Sequence, residues 1–130
     1  MVHSKLNTAK LLGGKRILIF EDGFLLSDTA QIKLVTLGVS ILGPVATADR
    51  VLSYLATEMV DAVILDVAIE PEVVLPVVSA LESRHIPFIF ALSSNPSLDE
   101  QRFAGFVLSA SDDDLATIAT ALFGQPYLVQ

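Results

Sequence analysis

DAVILDVA, Asp61–Ala68, is the stretch that decides the architecture. Its apolar run, Ala62 to Leu65, is too short for a helix, and a run without polar alternation reads as a strand buried on both faces. It closes on Asp66, an ionisable group at the tip of a buried strand, where desolvation is costly unless something compensates. A strand buried on both faces also needs neighbours and covering helices, and the flanking sequence supplies both.

RILIF (Arg16–Phe20) is a second run of this kind, stopped by Glu21-Asp22-Gly23. After it Leu26, Ala30, Leu34 and Leu37 recur at helical spacing, which predicts a helix between Phe24 and Leu37 that ends at Gly38. The unit then repeats. VSILGPVA reads as a strand ending at Gly43-Pro44, and Thr47 caps a helix carrying Val51, Leu52, Leu55 and Met59. Downstream of Asp66 a helix is expected over Glu72–Ser83, with Pro76 within about its first turn, where a missing N–H costs least. PFIFAL (Pro87–Leu92) and GFVLS (Gly105–Ser109) are the fourth and fifth strands, and the weakly patterned SNPSLDEQRFA between them allows at most a short or irregular helix. Ser111 caps the last helix, Asp112, Asp113 and Asp114 sit at the positive end of its dipole, and Leu115, Ile118, Ala119 and Leu122 share one face.

Five apolar strands alternating with helices predict an α/β fold, a doubly wound parallel sheet covered on both faces. The polar, small residues 1–14, broken by Gly13-Gly14, are expected to be a flexible leader, 15–124 the folded domain and 125–130 a tail. In such sheets ligands bind beyond the carboxyl ends of the strands, where strand order reverses. If the first and third strands are neighbours at that point, Glu21, Asp22 and Asp66 meet there.

Composition removes several functions. Net charge is −7, and beyond Lys33 the only cations are Arg50, Arg84 and Arg102, so outside the first sixteen residues no basic cluster exists to displace counterions from a nucleic acid. Although 52% of residues are hydrophobic, no apolar run approaches the roughly 18 residues of a membrane span. The N-terminal stretch has only Leu11-Leu12 where a secretory signal needs an apolar core, and the chain has no cysteine, so a cytoplasmic protein is expected. No glycine-rich phosphate cradle or nucleophile elbow follows any strand. His3 and His85 lack partners at metal-ligand spacing and read as surface residues, while Phe88 and Phe90 read as core.

Three carboxylates held together repel one another, and a hard divalent cation relieves that repulsion. With such an ion present, Asp66 can act as a carboxylate nucleophile toward a phosphoryl group. On these residues the chain resembles the receiver domain of two-component response regulators, from about Lys15 to Phe123. The resemblance implies a flavodoxin-like sheet in the order 2-1-3-4-5. It also implies Asp66 as phosphoacceptor, and Mg²⁺, or Mn²⁺ in its place, held by Glu21, Asp22, Asp66 and the backbone carbonyl of Ala68. A histidine kinase or histidine phosphotransfer protein would be the donor and an unknown downstream protein the target, with a homodimer left open and no enzymatic turnover.

The chain departs from the family in its last two strands. Counted from Pro87, the family's switch hydroxyl falls on Leu92, with Ser93 one residue late; a one-residue slip turns a side chain to the other face, so the hydroxyl is expected to be lost. The family's Lys-Pro falls on Ser109-Ala110, and Phe106 matches the aromatic that pairs with the hydroxyl. Two functions follow: a stand-alone receiver phosphorylated on Asp66 that signals by protein contact, since six residues after Gly124 cannot hold an output domain, or a phosphorylation-independent pseudo-receiver that acts as a protein-binding module. A Mg²⁺-dependent phosphatase lacks a general acid near the site.

Overall fold

The computed structural model describes residues 2–93 and 105–124, with side chains from residue 7 onward. At its centre is β3 (Ala62–Asp66), buried at every position. It pairs with β1 (Arg16–Phe20) on one side and β4 (Phe88–Ser93) on the other, while β2 (Ser40–Val45) and β5 (Phe106–Leu108) form the edges. All pairings are parallel and the order is β2-β1-β3-β4-β5, the doubly wound arrangement expected.

Side-chain alternation divides the apolar residues into two layers. Ile17, Ile19, Ala62, Ile64, Ile89 and Ala91 pack beneath α2 (Asp28–Thr36) and α5 (Asp112–Phe123). Leu18, Phe20, Val63 and Leu65 face α3 (Ala48–Thr57) and α4 (Pro71–Ser83), meeting Val51, Val74, Val77 and Leu81. Burial on both faces is the physical reason these strands carry no polar alternation.

The expected leader is a correction. Residues Val2–Leu12 form a helix, α1, which rests on α5, and Leu12 is fully buried in the first apolar layer. Lys15 adds a cation over the Phe123 ring, with Nζ 5.0 Å from its centroid. The glycine pair fastens α1 to the sheet rather than releasing it. Gly14, at φ +77°, donates its N–H to the Gly38 carbonyl at 2.9 Å, and a Cβ on Gly38 would come within 3.1 Å of Gly13 Cα. Only glycines allow two backbone turns to approach this closely. The packed unit therefore includes residues before Lys15.

Smaller differences have local causes. α2 starts at Asp28, four residues after Phe24, because Ser27 caps it by accepting the Ala30 N–H at 3.2 Å. β2 runs through Gly43-Pro44 to Val45 by way of an irregular register between Leu18 and Phe20, which an edge strand tolerates because proline need not donate there. Pro76 lies in the second turn of α4, on its exposed side, rather than in the first. Thr47 and Ser111 cap α3 and α5 as expected. The stretch SNPSLDEQRFA, the tail 125–130 and the His3 side chain lie outside the described residues. No helix among the described residues is long and apolar enough to cross a membrane.

Candidate functional site

Asp66 ends the central strand with only 5% of its surface exposed. What compensates its desolvation is backbone: Oδ2 accepts the Asp22 N–H at 3.1 Å and Oδ1 accepts the Ala68 N–H at 2.9 Å. Bonds from amides to an ionised carboxylate are among the stronger hydrogen bonds in proteins. They fix both oxygens at the carboxyl edge of the sheet, between the tips of β1 and β4.

Glu21, the next residue after β1, is 7% exposed, and its Oε1 accepts the Leu26 N–H at 3.1 Å. Burial pushes its carboxyl above the ordinary glutamate range; the Leu26 N–H opposes this, the charge on Asp66 adds to it, and the Leu25 N–H opposes it again. A raised folded-state value favours the fold below the unfolded value, and that contribution is lost as pH rises through the folded value. Glu21→Gln keeps an acceptor for Leu26 without the charge. In metal-free buffer its urea midpoint is expected above wild type at neutral pH, with the gap closing below the ordinary glutamate value of about 4.3. An equal or lower midpoint at neutral pH would count against this account of Glu21.

Asp22 contributes its backbone to Asp66 while its side chain is exposed. Across the rim, the Glu70 carboxyl is raised by a hydrogen bond with Glu72, then by the charge of Glu72, by desolvation and by the charge of Asp22. The expected meeting of three carboxylates is not what the structure shows. Among the described residues no group of three or more His, Cys, Asp or Glu side chains could hold a metal ion. Asp66 accepts backbone amides through both oxygens and Glu21 through Oε1, which offsets part of their desolvation cost, while the charge on Asp66 still adds to the upward push on Glu21. Their oxygen chemistry suits Mg²⁺, and with Glu21 Oε1 engaged by the Leu26 N–H the carboxylates left for such an ion are those of Asp66 and Asp22.

The β3–β4 register changes the reading of the missing hydroxyl. Asp66 lies directly across from Ala91, and Ser93 across from Leu108 of the first apolar layer. Alternation therefore places Ser93 on the Asp66 face, whereas Leu92, buried at 6% exposure, points to the opposite face. The slip takes a hydroxyl from the Leu92 side and leaves one on the side of Asp66. Sequence counting compared Ser93 with Leu92; only the pairing shows which of them shares a face with Asp66.

Ser109, at the family's lysine position, belongs to the start of α5. Its Oγ donates to Asp114 Oδ2 at 2.7 Å and accepts the Ser111 N–H at 3.0 Å, while Ser111 Oγ accepts the Asp114 N–H. Ser109→Ala is expected to cost about 1 kcal/mol of stability, the net worth of such hydrogen bonds, in a chemical denaturation experiment. Loss of less than a few tenths would show the network to be incidental. Phe106 is half-buried against the first layer and, with Val67, Ile69, Pro71, Val74 and Phe90, lines an apolar cavity of about 570 Å³.

Two residues escaped sequence reasoning. Lys33 reaches from α2 to Asp112 at 2.8 Å, tying that helix to the start of α5. Phe24, 92% exposed, stands in the loop between the two buried carboxylates; an aromatic directly after Gly23 in an acidic loop was its available signal.

No protein-family model and no curated protein matches the chain. Solved structures do. The solution structure of SdrG from Sphingomonas melonis Fr1 superposes with a TM-score of 0.64 at 29% identity, covering 83% of this chain and 95% of that one. The BeF3-activated conformation of SdrG from Pseudomonas melonis Fr1 gives a TM-score of 0.64 at 29% identity, covering 85% of this chain and 98% of its own. The response regulator PhyR from Brucella abortus shares the fold, with a TM-score of 0.64 at 22% identity over 95% of this chain and 55% of that one. Together with the β2-β1-β3-β4-β5 sheet, these likenesses decide the matter. This chain is a receiver domain. It spans about half the length of PhyR, and the receiver carries Asp66 at the carboxyl edge of its central strand.

Proposed function

We propose that this receiver accepts a phosphoryl group on Asp66 from a histidine kinase or histidine phosphotransfer protein and then signals by protein contact. The observation that carries the reading is the Asp66 carboxylate itself, buried at the switch point and held by the Asp22 and Ala68 amides. In the transfer an Asp66 oxygen forms a bond to phosphorus as the donor's P–N bond breaks, and the leaving imidazole nitrogen recovers its proton from solvent. The two amides hold the carboxylate in one orientation for that attack, which removes part of the entropic barrier. Mg²⁺ or Mn²⁺, when bound, supplies charge neutralisation at the phosphoryl oxygens; Asp22, Asp66 and the Ala68 carbonyl are its proposed ligands, joined by Glu21 only if Glu21 releases Leu26.

A second reading rests on particular observations. Leu92 is apolar and buried where the family places a hydroxyl, and Ser109 is engaged with Asp114 where the family places a lysine. Both favour a pseudo-receiver that binds its partner without phosphorylation. Treating the protein with a small acyl phosphate and Mg²⁺ and weighing it separates the two. One added phosphoryl group supports the first reading, and an unmodified mass under conditions that label a control receiver supports the second.

A further inference from the structure

The loop from Asp22 to Leu26 is held at both ends by the two buried carboxylates. At one end the Asp22 N–H donates to Asp66 Oδ2 at 3.1 Å, and at the other the Leu26 N–H donates to Glu21 Oε1 at 3.1 Å. Between them Gly23, at φ +133°, adopts a conformation that residues with a side chain rarely take, and Phe24 follows with 92% of its surface in solvent. The acceptor oxygen is thus one hydrogen bond from a loop whose tip carries an unburied aromatic ring. Apart from the Ala68 N–H on Oδ1 and the Ser93 hydroxyl on the same face, the positions where the family places its switch hydroxyl and lysine give Asp66 no side-chain donor. Leu92 is buried and cannot hydrogen-bond through its side chain, and Ser109 is tied to Asp114 and Ser111.

We propose that the Asp22–Leu26 loop, with Phe24 at its tip, reads the chemical state of Asp66 and changes the position and exposure of the ring in response. This rests on phosphoryl uptake by Asp66. Forming an acyl phosphate on a carboxylate oxygen removes the carboxylate charge, which weakens the bond from the Asp22 N–H, and adds a doubly charged group at the end of the loop that this N–H anchors. Both changes act on the same end of the loop, while Glu21 keeps the other end fixed. The loop then differs between the two states in the contacts that hold it, which is the condition for a ligand or modification to shift a conformational equilibrium. Aromatic rings are frequent anchors in protein interfaces, and a ring that moves with the loop changes the surface the receiver presents.

The chain contains no tryptophan, so Phe24→Trp and Phe106→Trp each give a full-length protein with a single indole reporter. Each is treated with Mg²⁺ and the small acyl phosphate, with beryllium fluoride as a parallel probe, and adduct formation is followed by mass. The expected result is an adduct in both proteins, an emission shift and altered iodide quenching in the Phe24→Trp protein, and no shift in the Phe106→Trp protein. Adding Asp66→Asn to the Phe24→Trp protein is expected to abolish the response. An adduct with a silent indole in the loop, or with a shift confined to the Phe106→Trp protein, overturns the loop proposal and leaves phosphoryl uptake standing. No adduct in wild type overturns uptake and the loop proposal with it, so the two failures are told apart. If Phe24→Trp does not fold, amide exchange at Asp22 and Phe24 in wild type replaces the fluorescence: a change on phosphorylation supports the proposal, and none refutes it.

Discussion

Asp66→Asn is expected to eliminate the phosphoryl adduct completely while leaving a folded protein. An amide oxygen is a poor nucleophile toward phosphorus, so no slow residual labelling is anticipated. The structural price is bounded. Asparagine retains one acceptor, suited to the Ala68 N–H, but its amide nitrogen then faces the Asp22 N–H, donor against donor. Leaving that amide unsatisfied costs about 1–3 kcal/mol, and removing a negative charge beside Glu21 offsets part of it. Mass measurement after acyl phosphate treatment checks the first part and chemical denaturation the second. Labelling that persists in the variant would move the acceptor to another carboxylate and sink the assignment.

Leu12→Ala is expected to be the most destabilising of the substitutions considered, by about 2–5 kcal/mol, the range for truncating a fully buried leucine. A domain has only about 5–15 kcal/mol in total, so the urea midpoint should fall steeply. The same substitution in a loose leader would change stability by less than about 0.5 kcal/mol. The two accounts of the N-terminal segment therefore differ by several-fold in one measurement. A near-wild-type midpoint would mean that α1 adds nothing to the core despite lying on α5.

The central strands were legible because burial on both faces leaves an unmistakable apolar run, and the helix starts because Thr47 and Ser111 satisfy orphan amides in a recognisable pattern. Asp66 was legible as a charge placed where charge is costly. What relieves it was not, because the answer is the backbone of Asp22 and Ala68, and backbone donors have no letter in a sequence. α1 was missed because its side-chain pattern is weak and its fastening depends on a contact between Gly13 and Gly38, distant in sequence. Ser93 needed the register against Asp66, which alternation along one strand cannot provide. Glu21 was placed correctly at the strand tip, but nothing in its neighbours indicated that it would bind Leu26 rather than share a cation.

The sheet is unequal across its width, with β3 buried at all five positions and β5 reduced to three residues at an edge. Amides paired in a doubly flanked strand exchange with solvent only when the whole molecule opens, whereas a short edge can release its own by local fraying. In deuterium exchange the amides of Val63 to Leu65 should therefore be the last to label, and those of Phe106 to Leu108 among the early ones. Asp66 grows out of the slowest part of the chain and Phe106 out of a fast one. The Asp66 carboxylate is therefore expected to keep its place through local openings that free the aromatic two strands away.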